Sequence, residues 1–510
     1  MGGRASEAAA GYAAALDASP DDAVLAMRAF RQAMAAGDER LALRAALILD
    51  KAKVLPSDAR LILMTDAVRR GDWGGAQIQV DRIESEGAFD FLVPVMRAWI
   101  AFGARDGDPV AVLDAKRGSA LAGAYAAEHR ALLLAARGDV AESIAAVRAT
   151  ALIGGGRASA LRLAVGARLA QIDRAKALAL LEGGDASFAA ARALVQDGRP
   201  VPGAIDSAAE GISTLFVRLA SDIARERLSL LSISLARNAL MLAPDSSAAE
   251  IAMSEALASG DYGDEALAML AQVPADDPLA AGALTARIAL LQKLGDTPSA
   301  LKAAETAAAA PGAQAGDFAR LGDARSQTGD HAAAAAAYAR AIDLVGAGGG
   351  EAPWSLWLLR GSALERAGQW DKARPALQKA VALAPENAVV LNHLGYAQLE
   401  RGENIEEAMR LVTRASALRP EDAAITDSLG WAYYLRGDLP KAIETLERAV
   451  KGDPGESAIN EHLGDAYYSA GRRYEARYAW RAALVYAEGN AADRLKGKID
   501  SGLRPELTAP

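Results

Sequence analysis

Apolar and small residues recur at helical spacing in short segments along the chain, and the pattern is clearest over residues 423–454. Leu429 and Tyr433 are four positions apart, which places them on one face of a predicted first helix. Gly437 ends that helix and opens a turn, and Pro454 ends a second helix. The apolar face of the second helix consists of Ala442, Leu446 and Ala449. The segment therefore predicts two short helices that pack as a hairpin.

The same hairpin pattern returns on both sides of this segment. It restarts downstream at Leu463 and Gly464, and upstream at Leu394 and Gly395, where one extra residue lies in the turn near Asn404. Three consecutive copies with matching small, aromatic and proline positions resemble the tetratricopeptide repeat, whose period is about 34 residues. The resemblance implies an all-α fold, a right-handed superhelical solenoid of antiparallel helix hairpins.

The repeat pattern divides the chain into five segments. In order they are N-terminal repeats (1–152), degenerate helical linker repeats (153–212), middle repeats (213–350), C-terminal repeats (351–490), and a capping helix with a tail (491–510). The linker segment fits either a hinge or poorly matched repeats, and we favour poorly matched repeats because apolar helical periodicity persists through it. The pattern begins at the second helix of a hairpin, so we expect a truncated chain or an internal start; a lone capping helix is the alternative.

Composition and charge narrow the possible classes of function. The 510 residues carry a net charge of −9 with a pI near 5.3, which argues against non-specific nucleic-acid binding. The sequence contains no cysteine, which excludes disulfides, thiol catalysis and cysteine-ligated metals. No apolar run reaches the ~18 residues needed to span a bilayer, and the first residues lack the features of a signal peptide.

The sequence lacks the residue sets that usually carry catalysis. The four histidines share no metal-ligand spacing, and neither a GxxxxGK nor a GxSxG motif occurs. The glycine run at 346–350 follows no predicted strand, so a dinucleotide site is not expected. The repeats also use up the length in which a catalytic domain could fold. We therefore predict a protein that is not an enzyme, holds no cofactor or metal, and acts by binding.

Aromatic residues are concentrated in the C-terminal repeats, where five of seven tryptophans and eight of twelve tyrosines follow residue 350. Some fill the core of a repeat, but others lie on the opposite side of the first helices, which are expected to line a concave surface. The predicted partner-binding groove consists of Asn392, His393, Tyr396, Asp427, Trp431, Tyr434, His462, Asp465 and Tyr468. Aromatic side chains among hydrogen-bonding groups suit a groove for a peptide or a partner helix. The alternative is that these residues pack between neighbouring first helices.

The C-terminal runs extend the resemblance beyond the generic repeat. NHLGYAQLERGENIEEAM at 392–409 and DSLGWAYYLRGD at 427–438 are similar to the large tetratricopeptide repeat proteins of alphaproteobacteria. That resemblance implies an N-terminal export signal, a periplasmic or outer-membrane location, and one or more protein partners in a cell-envelope complex. Association with a membrane would then depend on a partner or on a missing N-terminal anchor.

Two other functions stay open at this point. A cytoplasmic adaptor or co-chaperone would have the same repeats but no upstream leader. A ligand-binding solenoid would hold a glycan or a lipid in the aromatic groove, and the purified protein would then bind that ligand without a protein partner.

Overall fold

The computed structural model describes residues 4–115, 119–151, 156–183, 186–224, 226, 229–310 and 312–509. Within these ranges the chain forms α-helices and two short 3-10 helices, Asp90–Leu92 and Pro505–Leu507, and no β-strand. The predicted all-α solenoid of stacked hairpins is therefore confirmed. The chain divides into two compact units, Met1–Ala303 and Ala304–Pro510.

The helices of unit 1 include several in the segments where the sequence pattern is weak. They are α1 (Arg4–Ala18), α2 (Ala23–Ala36), α3 (Glu39–Lys51), α4 (Ser57–Arg69), α5 (Trp73–Glu86), α6 (Val93–Ala104), α7 (Pro109–Asp114), α8 (Ala120–Arg137), α9 (Val140–Ala151), α10 (Gly156–Ala170), α11 (Arg174–Leu180), α12 (Ala186–Gln196), α13 (Ala208–Ala224), α14 (Ser229–Leu242), α15 (Ser247–Ser259), α16 (Gly263–Leu270) and α17 (Ala280–Lys293). Helix α18 (Thr297–Ala309) spans the boundary between the units.

Unit 2 is a regular series of hairpins. Its helices are α19 (Ala315–Gln327), α20 (His331–Ala347), α21 (Trp354–Arg366), α22 (Trp370–Leu383), α23 (Ala388–Glu400), α24 (Ile405–Leu418), α25 (Ala423–Leu435), α26 (Leu439–Gly452), α27 (Ser457–Ser469), α28 (Arg473–Tyr486) and α29 (Gly489–Ser501). The two helices of each hairpin from α19 to α28 pack against each other, and each hairpin packs against the next.

Turn chemistry fixes the ends of these helices where the sequence predicts them. Asp422 caps α25 by accepting a hydrogen bond from the Ile425 backbone N–H at 3.2 Å. Gly437 follows α25 with φ +77°, a conformation that glycine adopts without a steric penalty. Asn404 takes φ +48° in the turn before α24, at the inserted position. Short polar residues and glycine therefore determine the hairpin length.

The glycine in the middle of each first helix lets the second helix of the same hairpin approach closely. A Cβ on Gly430 would lie 2.6 Å from Cγ of Leu446, and a Cβ on Gly464 would lie 2.4 Å from Cδ1 of Trp480. Carbon atoms in contact normally stay about 3.5–4.0 Å apart. The repeated small position therefore has a direct packing reason.

In unit 1 the chain folds back on itself. Helices α13 and α14 pack against α2, α4, α6 and α8, which are helices of the first hairpins. Gly211 on α13 lies so close to Trp99 on α6 that a Cβ there would be 2.2 Å from the indole ring. Arg237 on α14 donates a hydrogen bond to the Met34 carbonyl oxygen at 3.0 Å, at the end of α2. One face of the N-terminal repeats is therefore covered by later helices of the same unit.

Trp99, which packs against Gly211, also forms a buried polar pair with His129. The indole Nε1–H of Trp99 donates a hydrogen bond to Nδ1 of His129 at 2.9 Å. Burial and the nearby positive charge of Arg218 lower the pKa of His129 to about 3. The imidazole is therefore neutral at neutral pH and acts as an acceptor within the core.

Candidate functional site

The first helices of consecutive hairpins in unit 2, α21, α23, α25 and α27, form a surface that we call the A layer. Glu365 on α21 joins it to the next helix, because its Oε2 lies 3.0 Å from Nε2 of His393 and its Oε1 lies 2.9 Å from Nη1 of Arg401. Burial raises the pKa of Glu365, but His393 and Arg401 outweigh burial and hold it below its usual value. Glu365 is therefore held in its ionised form by contacts with two neighbours.

Three stacked rings lie at the centre of the A layer. The indole of Trp431 on α25 stacks on Tyr434 at 4.6 Å between ring centroids and on His462 of α27 at 4.2 Å. Only 1% of Trp431 is exposed. Nδ1 of His462 lies 2.9 Å from each carboxylate oxygen of Asp427, on α25. The stack therefore joins α25 to α27 through both apolar and charged contacts.

His462 favours its protonated form in this environment. Burial lowers its pKa, but the charge and hydrogen bond of Asp427, with smaller contributions from Asp465 and Glu461, raise it above the usual value. An imidazolium against the face of Trp431 also gains a cation–π attraction. These contacts favour the protonated, ion-paired form of His462 beside Asp427 and offset part of its desolvation cost.

A second buried charge cluster joins α27 to α29. Lys498 on α29 is fully buried, and its Nζ lies 2.6 Å from Glu461 Oε1 and 2.8 Å from both oxygens of Asp465. Arg494 donates two hydrogen bonds to the Glu461 carboxylate, at 2.7 and 2.8 Å. Helix α29 therefore continues the A layer beyond the last hairpin.

The pKa values of the two carboxylates in this cluster are shifted in opposite directions. At Asp465 burial is the largest effect and raises the pKa, although Lys498 opposes it. At Glu461 burial also raises the pKa, but Arg494 and Lys498 outweigh it and hold the pKa below its usual value. The cluster therefore has a firmly ionised side at Glu461 and a more easily protonated side at Asp465.

The residues after α29 return to the A layer, and we call residues 502–509 the tail segment. The Ala509 backbone N–H donates a hydrogen bond to Oδ2 of Asp465 at 3.0 Å. The indole N–H of Trp480 donates to the other oxygen of Asp465 at 2.8 Å. Ala509 is only 7% exposed and belongs to the same apolar cluster as Trp431. An irregular stretch of backbone therefore lies on the A layer in this structure.

Comparison with known families identifies the repeats. Tetratricopeptide repeat models match residues 319–388, 364–431 and 428–455, which together run without a gap from α19 to α26. Residues 319–455 are therefore tetratricopeptide repeats. Proteins built from this repeat are in general protein-interaction scaffolds, and stacked hairpins provide the extended surface that such scaffolds use.

Several solved structures are similar to parts of this repeat protein. MamA from Desulfovibrio magneticus is 21% identical and covers 35% of this chain and 97% of its own, with a TM-score of 0.30. A thermophilic TPR protein from Thermus thermophilus is 22% identical, covering 37% and 98%, with a TM-score of 0.31. The C-terminal part of a TPR protein from Cytophaga hutchinsonii is 19% identical, covering 47% and 97%, with a TM-score of 0.35. A comparison with curated proteins found no match.

The nine residues of the predicted groove all lie on α23, α25 or α27, three on each helix. Four of them are buried: Asp427, Trp431, His462 and Asp465. The other five are half-buried: Asn392, His393, Tyr396, Tyr434 and Tyr468. The buried four make the contacts between neighbouring first helices that the packing alternative describes. A partner-binding role for the set stays a prediction, and the half-buried five are the members that a ligand can reach.

The sequence-based prediction missed the residues that complete this surface. Glu365, Glu461 and Lys498 were not included, although each pairs with a residue of a neighbouring helix of the A layer. One signal was available, because the pairs join opposite charges about one repeat apart: 28 residues for Glu365 and His393, and 37 for Glu461 and Lys498. The return of the tail segment to the A layer had no such signal.

The described residues offer neither a metal site nor a membrane-spanning helix. No group of three or more histidine, aspartate and glutamate side chains among the described residues has an arrangement that could hold a metal ion. None of the helices in the described ranges combines the length and apolar character needed to cross a membrane.

Proposed function

We propose that this repeat protein is a non-enzymatic scaffold that binds partner proteins or peptides across the A layer of unit 2. The hydrogen bond from the Ala509 backbone to Asp465 carries the proposal, because a polypeptide segment of this chain already lies on this surface. The half-buried aromatic residues Tyr396, Tyr434 and Tyr468 offer the kind of side chain that dominates binding energy at interfaces. In unit 1 the helices α13 and α14 already cover the corresponding hairpins.

The proposed setting is an assembly of the bacterial cell envelope, in the periplasm or at the outer membrane. Support for this setting comes from the resemblance of residues 392–409 and 427–438 to large alphaproteobacterial repeat proteins. The partner is then one or more proteins of such an assembly. Fractionation of the native host with a tag on the chromosomal copy tests the location, and recovery of the protein in the cytosolic fraction would favour the adaptor alternative.

The binding proposal is tested by matched tyrosine substitutions on the two layers. Tyr434→Ala removes a half-buried ring from the A layer. Tyr478→Ala removes a ring that is 70% exposed on α28, which belongs to the layer of second helices (α22, α24, α26 and α28) that we call the outer layer. We expect partners cross-linked to the full chain in native extracts to be lost with Tyr434→Ala and retained with Tyr478→Ala. The reverse result would place the interaction on the outer layer and overturn the proposal.

Circular dichroism melts of both variants provide the folding control. Trp431 is a poor choice for the same test because it is buried. Truncation of a buried tryptophan to alanine leaves a cavity and costs about 3–5 kcal/mol. A loss of binding in that variant would not separate a lost contact from a disturbed fold.

A further inference from the structure

The tail segment is held to unit 2 by three separate contacts, beginning with a tight turn. Gly502 ends α29 with φ +85°, a conformation that favours glycine. It packs directly against the hydroxyl of Tyr468, and a Cβ there would lie 2.3 Å from that oxygen atom. Any other residue at this position would therefore both strain the backbone and displace Tyr468. The turn directs the chain from the end of α29 back towards α27.

The next contacts are apolar. Leu503 packs against the cluster that contains Trp480 and Leu495. The side chain of Leu507 lies over Gly497 of α29, where a Cβ would approach it to 3.2 Å. Between them, residues 504–506 are exposed. The segment is therefore anchored by Leu503 and Leu507, while the residues between them remain in solvent.

The last contact of the tail segment is the most specific. Ala509 is buried, its backbone N–H is bonded to Asp465, and its methyl group belongs to the cluster formed by Leu399, Leu429 and Trp431. The position accepts a small side chain beside an acidic acceptor. These are the features by which a groove recognises an irregular peptide: a backbone hydrogen bond fixes the chain, and a small pocket selects the residue.

We propose that the tail segment is a built-in ligand of the A layer, and that it occupies the position taken by a short segment of a partner protein that is not α-helical. The partner segment would carry an alanine-sized apolar residue at the position of Ala509 and donate its backbone N–H to Asp465. This proposal rests on the proposed function, because it names the kind of partner segment that the A layer binds and adds that the tail must leave before the partner enters.

Charge does not select the partner at this point. Lys498 balances Asp465 and Glu461, and Arg494 adds a second positive group beside Glu461. Shape and the single backbone hydrogen bond therefore determine which segment fits. The partner segment should resemble the tail itself, so a peptide with the sequence of residues 502–510 is a suitable probe.

The experiment compares full-length protein with and without a displaced tail. Ala509→Glu places a larger, negatively charged side chain at a buried site beside Asp465, which expels the segment without changing any helix. Arg504→Ala produces the same change in net charge at an exposed position of the tail and is the matched control. Binding of a fluorescent peptide with the sequence of residues 502–510 is measured by anisotropy for both variants and for the unchanged protein.

We expect the peptide to bind Ala509→Glu at least about tenfold more tightly than the unchanged protein, because a site that is free less than about a tenth of the time loses that factor in apparent affinity. Arg504→Ala should behave as the unchanged protein does. Equal binding to all three proteins, or no binding to Ala509→Glu at a near-native melting temperature, would overturn the proposal. Hydrogen exchange at the backbone amide of residue 509 provides a second readout. This amide should be protected in the unchanged protein and unprotected in Ala509→Glu.

The outcomes also separate this proposal from the proposed function. If cross-linked partners are captured equally by the unchanged protein and by Ala509→Glu, the scaffold function stands and gating by the tail is wrong. If Tyr434→Ala loses no partner, the partner surface proposed above is wrong, and the peptide result then shows only whether the tail is a displaceable ligand of Asp465. Concentration-dependent dimerisation of the unchanged protein that is lost in Ala509→Glu would show that the tail of a second copy is the occupant, which would contradict a partner of another kind.

Discussion

Replacement of Lys498 by methionine tests the buried charge cluster between α27 and α29. Methionine matches the four-atom stem of the lysine side chain and lacks the ammonium group, which is fully buried between Glu461 and Asp465. Of the ion pairs among the described residues, only that of Arg494 with Glu461 then balances the negative charges of Glu461 and Asp465. Removal of one partner from a buried ion pair costs about 3–5 kcal/mol, because the other charge stays buried and unpaired. We expect Lys498→Met to fall in this range.

Lys496→Met on the same helix is the matched control. Lys496 pairs with Asp493, but both side chains are more than half exposed. An exposed pair contributes at most about 1 kcal/mol. The two substitutions are chemically identical, so the difference between them isolates the effect of burial.

Native-state hydrogen exchange of the α29 amides measures the difference directly. Each 1.36 kcal/mol corresponds to about a tenfold change in an equilibrium constant, so Lys498→Met should reduce protection in α29 by more than about a hundredfold. Lys496→Met should change it by less than about tenfold. Equal effects of the two substitutions would refute the buried cluster. Asp465→Asn added to Lys498→Met should restore part of the loss, because it removes the stranded charge.

Three further predictions concern the core of the C-terminal hairpins. Gln398 is fully buried and neither its amide oxygen nor its nitrogen has a hydrogen-bond partner, so Gln398→Met should raise stability by about 1–3 kcal/mol in urea titrations; a loss of stability would show that the amide is paired. Gly430→Ala should destabilise by about 1–3 kcal/mol, because the clash with Leu446 outweighs the helix-propensity gain of about 1 kcal/mol. The pKa of His462 is raised in the folded state, so its contribution is fully present below about pH 6.5 and is lost as the pH rises through the folded pKa. The urea midpoint of the unchanged protein should therefore fall as the pH rises above about 6.5. Asp427→Asn should make the midpoint less dependent on pH. A midpoint that rises with pH over this range would contradict the prediction.

The hairpins of unit 2 could be predicted from the sequence because their determinants are local. Gly437 must leave the helix with positive φ, Gly430 must lie under Leu446, and Asn404 must absorb one extra residue; each requirement appears in the sequence as a residue type at a fixed spacing. The fold-back of α13 and α14 onto the first hairpins has no such local signal. It depends on shape complementarity between residues far apart in the sequence, such as Gly211 and the indole ring of Trp99 that packs against it.

Sequence periodicity is also insufficient to determine what the candidate site contacts. Helical periodicity correctly assigns Asp427, Trp431 and His462 to one face, but it cannot tell whether that face meets a ligand or the neighbouring helix. The answer depends on the distance between first helices, and at 4.2 Å between ring centroids Trp431 and His462 leave no space between them. On our proposal, partners bind at the half-buried tyrosines of this face, such as Tyr434, and the tail segment reaches the same face through the buried Asp465. Substitution of Tyr434 should therefore change binding, whereas substitution of the buried Trp431 or His462 should first change stability.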